Sequence, residues 1–243
     1  MVSENKLSFV GRTHTEYKNN YAFAALKDDG SVVTWGNSNY GGDSSSVSTK
    51  INSGVNQIFS NFYSFAALKV DGSVVTWGDL DWGGDTNRPQ ATSLDENVTD
   101  ISSTKAAYAA LKKDGSVATW GYSAWGGDSS SISNNLTSDV TKIYSTGRAF
   151  AALKSDGSVV TWGDSNYGGD SSSVSSSLSS DVEKIFTTGS AFAALKSDGS
   201  VVNWGYFIGT ADGFDFNSVS SKLQSNVKTI SVTDTSFAAL KDD

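Results

Sequence analysis

The chain repeats one unit of about 42 residues, and this repeat restricts its fold more than any other feature. Each unit contains an aromatic-Ala-Ala-Leu-Lys block, and successive blocks are 42, 43, 42, 42 and 45 residues apart. The blocks start at Phe23, Phe65, Tyr108, Phe150, Phe192 and Phe237. Five of them continue into Asp-Gly-Ser-Val and end in Trp-Gly, at Trp35, Trp77, Trp120, Trp162 and Trp204. Such a period is typical of folds in which each repeat is one small unit packed against its neighbours.

Each unit is predicted to contain a β-hairpin. The dipeptide Asp-Gly between two short apolar runs is a strong hairpin signal, and a two-residue type I′ turn centred on Asp156-Gly157 is expected. That register pairs Ala151 with Trp162 and Leu153 with Val160, so that a small side chain packs opposite a large one. Both faces of the hairpin are largely apolar, which indicates a sheet covered on both sides.

The remainder of the unit is predicted to supply a third strand and a crossing loop. In the fourth unit, Val182 and Ile185 belong to a strand that precedes the next Phe, and residues 171–180 form the loop. Small sheets covered on both faces and repeated at this period predict a β-propeller. Short apolar runs rich in Val, Thr, Trp and Phe argue against helices, and the repeats of a parallel β-helix are usually shorter.

The predicted fold is all-β: one propeller domain over residues 1–243, with about six blades. The sequence has six Ala-Ala-Leu-Lys strands and five Val-x-x-Trp strands. We expect residues 6–11, "KLSFVG", to complete the last blade beside residues 236–241, so that strands from both ends close the ring. A piece of a longer repeat array is the alternative.

Charge and composition exclude several classes of function. The formal charge is −8, and the 18 Lys and Arg residues are scattered, six of them at one repeated position. A phosphate-binding surface needs clustered cations, so no nucleic-acid partner is expected. No run of 18 apolar residues exists, so no membrane insertion is expected. The chain has no Cys, which excludes disulfides and thiol chemistry and leaves the compartment open.

Few residues are suited to catalysis, so we expect no enzyme activity, no metal and no cofactor. The single histidine, His14, cannot assemble a catalytic triad or a His-based metal site. The Asp of each Asp-Gly is interpreted as a turn residue, because a calcium loop needs several carboxylates at alternating positions. The Asp that follows each Gly-Gly is expected to bond the Ser amides ahead of it. These Gly-Gly-Asp residues are Asp43, Asp85, Asp128 and Asp170.

The stretch "FAALKSDGSVVTWGDSNYGG" resembles the repeat of the regulator of chromosome condensation family. The shared pattern is a Leu-Ala-Leu-Lys-like strand, Asp-Gly, a Val-x-x-Trp-Gly strand and a Gly-containing step, and the resemblance covers residues 17–243. The repeat length is closer to that of short-blade bacterial propellers of the β-lactamase-inhibitor type. The chain departs from both in having six units and Gly-Gly-Asp-Ser-Ser-Ser. The resemblance implies the fold, favours an extracellular or cell-surface location, and leaves function open because relatives do unrelated things.

The positions that vary between units predict a binding rim. An aromatic residue lies shortly after each Trp-Gly, and all copies are expected on one side of the ring because each follows the same strand. These candidate partner-binding residues are Tyr40, Trp82, Trp125, Tyr167, Tyr206 and Phe207. Tyr and Trp anchor many binding surfaces, and they also stack on sugar rings. The alternative interpretation is that each ring fills the gap between two blades.

The predicted function is a non-enzymatic binding module that recognises a protein partner through these aromatic loops. One alternative is a lectin-like or cell-surface module that binds glycans at several equivalent sites. Another is a structural or engineered repeat scaffold without a partner.

Overall fold

A computed structural model of the chain describes residues 17–85, 94–206 and 219–242. These residues form six small antiparallel sheets, each built from strands that are consecutive in sequence. The predicted fold class is confirmed: the chain is an all-β propeller of about six blades. None of the helices among the described residues is long and apolar enough to cross a membrane.

The four central sheets have three strands each, and the first and last sheets have two described strands each. Sheet 1 contains β1 (Ala22–Leu26) and β2 (Val32–Gly36). Sheet 2 contains β3 (Val55–Ser60), β4 (Ser64–Lys69) and β5 (Val74–Gly78). Sheet 3 contains β6 (Val98–Ser103), β7 (Ala107–Lys112) and β8 (Val117–Gly121).

The second half of the chain continues the pattern. Sheet 4 contains β9 (Val140–Ser145), β10 (Ala149–Lys154) and β11 (Val159–Gly163). Sheet 5 contains β12 (Val182–Thr187), β13 (Ala191–Lys196) and β14 (Val201–Gly205). Sheet 6 contains β15 (Val227–Val232) and β16 (Phe237–Lys241). The prediction of a third strand ahead of the aromatic block is confirmed for five of the six blocks, where β3, β6, β9, β12 and β15 pair with the middle strands of sheets 2 to 6.

The predicted hairpin register is wrong by one residue. Phe150 pairs with Trp162, and Leu153 pairs with Val159. The reason is a longer turn: the Gly157 N–H donates to the Lys154 carbonyl at 3.0 Å, and the Lys154 N–H donates to the Ser158 carbonyl at 2.9 Å. Only Gly157 of this turn has a positive φ, of 79°, whereas a type I′ turn needs two such residues. Trp162 therefore stacks on Phe150, with ring centroids 5.2 Å apart, and does not lie opposite Ala151.

In chain order, we call the three strands of a sheet its inner, middle and outer strands. Short 3₁₀ helices connect the outer strand of one sheet to the inner strand of the next. The first of each pair follows the Trp-Gly step: Ser38–Tyr40, Leu80–Trp82, Ser123–Trp125 and Ser165–Tyr167. Others lie further along: Ser45–Val47, Ser130–Leu136, Ser172–Val174 and Ser221–Leu223. Leu178 is buried under the crossing loop, and Val174 packs against the same core cluster. This confirms the predicted role of residues 171–180.

Neighbouring sheets pack a face of large side chains against a face of small ones. Phe150 and Trp162 of sheet 4 lie in one core cluster with Ala107 and Ala109 of sheet 3. Equivalent clusters join each of the other four pairs of successive sheets. Apolar burial between sheets is the main favourable term for a fold of this kind.

Backbone hydrogen bonds also link the turns between inner and middle strands. The Phe62 N–H donates to the Lys105 carbonyl, and the Lys105 N–H donates to that of Gly147. The series continues from Gly147 to Gly189 and from Gly189 to Asp234, at 2.8–3.1 Å throughout. These hydrogen bonds connect the blades of sheets 2 to 6 at the edge where the turns between inner and middle strands lie.

Residues 6–11 lie outside the described residues, so the closure of the ring by this segment stays a prediction. His14 also lies outside them. Within the described residues, the outward faces of the first and last sheets are exposed at Phe23, Trp35 and Leu240.

Candidate functional site

The 3₁₀ helices after the Trp-Gly steps place one aromatic residue from each of four blades at the same edge of the propeller. The local sequence explains this conformation. The Asp79 carboxylate accepts a hydrogen bond from the Asp81 N–H at 3.0 Å, and Gly83 ends the turn with a φ of 102°. Asp164 caps the turn of the fourth unit in the same way. The turn thus orients Trp82 and its equivalents by local hydrogen bonds.

A second set of hydrogen bonds attaches each aromatic residue to its own sheet. The Asn61 side-chain amide donates to the Trp82 carbonyl at 2.7 Å. Thr104 and Thr146 hydroxyls donate in the same way to the carbonyls of Trp125 and Tyr167, at 3.1 Å and 2.9 Å. These bonds hold the backbone of each of these aromatic residues against the turn between the inner and middle strands of its own sheet.

The aromatic side chains contact one another from blade to blade. Tyr40 lies 4.7 Å from Tyr21 and 5.6 Å from Tyr63, measured between ring centroids. Tyr63 lies 4.7 Å from Trp82. Trp82 then stacks on Tyr122 at 5.0 Å. These spacings are those of favourable aromatic pairs.

The contacts continue through a cation. Tyr122 lies 5.4 Å from Trp125, and the Arg148 guanidinium lies over both Trp125 and Tyr167, at 4.4 Å and 4.6 Å from the ring centroids. A guanidinium stacks well on aromatic faces because it is planar and weakly hydrated. We call this continuous set the rim belt; its members are Tyr21, Tyr40, Tyr63, Trp82, Tyr122, Trp125, Arg148 and Tyr167.

Arg148 is held in place but has few polar partners. Its guanidinium lies 3.6 Å from the Asp164 carboxylate. Its Nε is buried and has no hydrogen-bond partner among the described residues. A guanidinium carries five N–H donors, and the contact with Asp164 is made by Nη1.

The side chains that link the rim aromatics come from positions that were not predicted from the sequence. One further side chain contacts both members of each pair of successive rim aromatics, and Trp82 and Trp125 also contact each other directly, with ring centroids 5.5 Å apart. The further side chain comes from the turn before the middle strand where that residue is large, as Tyr63 and Arg148 are. Where the turn residue is Ala106, the side chain comes from Tyr122, which precedes the 3₁₀ helix. The sequence does vary between units at these two positions, the turn residue before the middle strand and the residue before the 3₁₀ helix, while the strands barely change. That variation could have indicated the linking side chains.

The edge of the belt is acidic. Asp79, Asp81 and Asp164 flank the aromatic rings, and between the first two Leu80 is 61% exposed. The pKa of Tyr63 is raised, chiefly by burial and further by the neighbouring Tyr21, Tyr40 and Asp79. The belt therefore combines partly exposed aromatic rings with carboxylates beside them.

The structure brings four of the six predicted site residues together in the rim belt, namely Tyr40, Trp82, Trp125 and Tyr167. Each of these is half-buried. Tyr206 follows β14 and is exposed; among the described residues no ring contact joins it to the belt. Its carbonyl accepts a hydrogen bond from Ser190 at 2.9 Å. Phe207 lies outside the described residues.

The repeated carboxylates have structural roles. The Asp156 carboxylate accepts hydrogen bonds from the Ser158 N–H and hydroxyl, at 2.9 Å and 2.6 Å, which confirms the turn interpretation. The Asp170 carboxylate accepts from the Ser172 N–H at 2.9 Å, as predicted for the Gly-Gly-Asp step. Within residues 17–85, 94–206 and 219–242, no group of three acidic or histidine side chains is placed to hold a metal ion.

Comparison with known proteins bears on the fold. No protein-family model and no curated protein matches the chain. Human WBSCR16 is similar in structure: it is 21% identical, the match covers 78% of this chain and 61% of that one, and the TM-score is 0.50. The ectodomain of the Physcomitrella patens receptor kinase CR4 is 17% identical over 94% of this chain and 59% of that one, with a TM-score of 0.53.

Prp20p from Saccharomyces cerevisiae, a structure described together with its binding to Gsp1p and histones, is 16% identical, with a TM-score of 0.47 and coverage of 78% and 56%. The chain thus spans about three fifths of the length of these structures. At this level of identity, similarity concerns the fold. The chain is a repeat propeller, similar in fold to WBSCR16 and to the CR4 ectodomain.

Proposed function

We propose that the chain is a non-enzymatic binding module that recognises a protein partner through the rim belt. The observation that carries this proposal is the continuity of the belt: seven aromatic rings and one guanidinium contact each other across four blades at one edge. Trp, Tyr and Arg are the residue types that dominate binding energy at protein interfaces. Because the rings are fixed by local hydrogen bonds and by each other, a partner would lose little side-chain entropy on contact.

A protein partner fits the belt better than a set of glycans does. A multivalent lectin uses equivalent sites, so each blade should offer the same pocket. Here the side chain that links each pair of rim aromatics differs from blade to blade, as Tyr63, Tyr122 and Arg148 show. The belt is therefore one asymmetric surface, and it suits one asymmetric partner. A glycan remains the alternative ligand, and binding stoichiometry separates the two.

The resemblance to short-blade bacterial propellers supplies a specific version of this proposal, which is inhibition of a β-lactamase. In that type of propeller, loops equivalent to the rim turns face the enzyme. An inhibition assay against a panel of β-lactamases tests this version. Absence of inhibition would remove this partner while leaving the rim belt as a candidate surface. Tyr206 and Phe207 stay predicted partner-binding residues.

The main experiment compares capture by rim variants with capture by a distant control. Wild-type protein is immobilised and incubated with extract from its source, and bound proteins are identified by mass spectrometry. We expect Trp82→Ala and Trp125→Ala to weaken capture at least about tenfold, as truncated hot-spot residues do. Leu80→Ser removes an exposed rim side chain with little effect on folding, so loss of capture by this variant would locate the contact.

Val70→Ser is the matched control, because Val70 is exposed at the opposite end of its strand, in the tight turn. It should capture the partner as the wild type does. Undiminished capture by all three rim variants, with unfolding midpoints intact, would count against this surface. Calorimetry that gives one site per chain supports a protein partner. Four or more equal sites for a sugar would support the lectin alternative.

A further inference from the structure

Three tyrosines at the first end of the rim belt form a cluster of their own. Tyr21 immediately precedes β1, Tyr40 ends the 3₁₀ helix that follows β2, and Tyr63 immediately precedes β4. The ring centroids of Tyr21 and Tyr40 are 4.7 Å apart. Those of Tyr40 and Tyr63 are 5.6 Å apart, and those of Tyr21 and Tyr63 are 6.2 Å apart. Each ring therefore contacts both of the others, and we call the three residues the tyrosine triad.

Contact between tyrosine rings occurs at this one place in the chain. The chain has nine tyrosines, and all nine lie within the described residues. Outside the triad, tyrosine rings contact other ring types: Tyr108 stacks on Trp120, and Tyr122 contacts Trp82 and Trp125. Aromatic packing at the rim does not require three phenols, because the equivalent positions of other units include Ala, Arg, Ser and Trp. The triad therefore adds a chemical property that the other blades lack.

The triad is also accessible to a dissolved reagent. Tyr21 is 49% exposed, and Tyr40 and Tyr63 are half-buried. By contrast, Tyr108 and Tyr144 are buried. Solvent reaches the Tyr21 ring, so water can accept the proton that a phenol releases when it is oxidised. The triad thus combines access for an oxidant with a second and a third phenol in contact with the exposed one.

We propose that the tyrosine triad is a site of oxidative coupling, at which a carbon–carbon bond forms between the rings of Tyr21 and Tyr40. The oxidant is hydrogen peroxide used by a peroxidase. One electron and one proton leave each phenol, and the two phenoxyl radicals join through the ring carbons next to the carbon that bears the oxygen. The hydrogens on these two carbons then move to the oxygens. In all, the protein loses two hydrogen atoms, and one peroxide is reduced to two waters.

Tyr21 and Tyr40 are the favoured pair because their rings are the closest and Tyr21 is the most exposed of the three. Groups held in contact react as if at a very high concentration, so coupling within one molecule should exceed coupling between molecules. The bond would join the two ends of the segment 21–40, which contains both strands of sheet 1. Because such a bond restricts the unfolded chain, the coupled protein should melt at a higher temperature. This inference does not depend on the partner proposed for the rim belt.

Oxidation of the purified chain by a haem peroxidase and hydrogen peroxide tests the proposal. Intact mass spectrometry measures the fraction of monomer that has lost two hydrogen atoms, and peptide mapping locates the new bond. This fraction should stay constant when the protein is diluted, whereas products that join two molecules should decrease. Tyr21→Phe and Tyr40→Phe keep the ring packing and remove one phenol, so each should lower the monomer product at least about tenfold.

Two variants are matched controls. Tyr63→Phe removes the third phenol of the triad, and Tyr206→Phe removes a phenol that is 55% exposed and lies outside the triad. Both should give the product at the wild-type yield, and circular dichroism shows that every variant is folded. A wild type that forms no cross-link, or only cross-links between molecules, would overturn the proposal. An undiminished monomer product in Tyr21→Phe, or a bond that maps to a pair without Tyr40, would also overturn it.

Discussion

The indole Nε1 of Trp77 donates a hydrogen bond of 3.1 Å to the carbonyl oxygen of Gly41, which belongs to the preceding unit. The same bond recurs from Trp120 to Gly83, from Trp162 to Gly126 and from Trp204 to Gly168. All four indoles are buried. Because water does not reach them, loss of the bond would leave a buried polar group without a partner, which costs free energy. The repeated Trp-Gly and Gly-Gly steps are therefore two sides of one contact between blades.

Removing one of these indole donors should destabilise the propeller. Trp120→Phe keeps an aromatic ring, deletes the N–H and leaves the Gly83 carbonyl unpaired in a buried position. We expect a loss of about 2–3 kcal/mol in the free energy of unfolding, from the lost hydrogen bond and the smaller ring. Urea unfolding monitored by circular dichroism measures it.

The repeat supplies the control for this experiment. Trp35→Phe makes the same chemical change in a ring that is half exposed, so its effect should be within about 0.5 kcal/mol of zero. Equal losses for Trp120→Phe and Trp35→Phe would show that the bond between blades contributes nothing specific.

A Cβ at the first glycine of a Gly-Gly step should be poorly tolerated. Gly126 has a φ of 95°, and a Cβ there would lie 2.5 Å from the Phe150 ring of the next sheet. We expect Gly126→Ala to cost about 2–4 kcal/mol, from backbone strain and the clash together. Gly54→Ala, at a φ of 71° with its nearest contact at 3.5 Å, carries the backbone term alone and should cost about 1 kcal/mol. Unfolding curves that rank the two variants in the reverse order would contradict this.

The third unit differs from the others at one core position, and the residue there makes hydrogen bonds with the preceding unit. Tyr108 takes the place of Phe; its hydroxyl donates to the Ser64 carbonyl at 2.8 Å and accepts from the Asn61 N–H at 3.0 Å. Burial raises the pKa of Tyr108 above its ordinary range. We expect Tyr108→Phe to cost about 1–2 kcal/mol in the free energy of unfolding.

Ser64 tests whether that cost is specific. Its hydroxyl lies 3.2 Å from the Tyr108 hydroxyl, so the two residues should couple in a double-mutant cycle with Ser64→Ala. Strictly additive effects in urea unfolding would mean that the pair does not act together.

The repeat and its consequences could be predicted from the sequence, because blade length, strand order and the turn role of Asp156 follow from patterns in a single unit. The hairpin register could not. It depends on whether one or two turn residues adopt positive φ, and Asp-Gly is compatible with both. The pairing of Phe150 with Trp162, and with it the composition of each face, followed from that choice.

The candidate site was predicted in part for a similar reason. Tyr40, Trp82, Trp125 and Tyr167 follow a repeated step, so their common edge was visible in the sequence. Tyr63, Tyr122 and Arg148 come from different positions in their units. They meet the rim aromatics only because neighbouring blades approach at a fixed distance, which no single unit encodes.

Acid should weaken the hairpin turns. Hydrogen bonds from the Ser31 hydroxyl and N–H, with a further contribution from Lys27, lower the pKa of Asp29 to about 2. The contribution of this depressed pKa to stability is complete above the unfolded value of about 3.9 and is lost as the pH falls through the folded value. Asp29→Asn keeps an acceptor oxygen and removes the titration, so its melting temperature should fall less between pH 5 and pH 2 than that of the wild type.

Asp28→Asn is the control for the pH experiment, because it changes the same charge one residue away and leaves the hydrogen bonds to Ser31 intact. Its melting temperature should follow the wild-type dependence on pH. An identical pH dependence for Asp29→Asn and the wild type would show that the turn carboxylate does not titrate with folding.

Site-specific photo-cross-linking tests the central claim, that the rim belt binds a protein partner, most directly. A photoreactive phenylalanine analogue replaces Leu80 at the rim or Val70 at the opposite end of the same blade, and each protein is illuminated in source extract. We expect one protein to be cross-linked at Leu80 and not at Val70. Excess wild type should suppress this product, and excess of the double variant Trp82→Ala/Trp125→Ala should not. Equal cross-linking at both positions, or equal competition by the double variant, would contradict it.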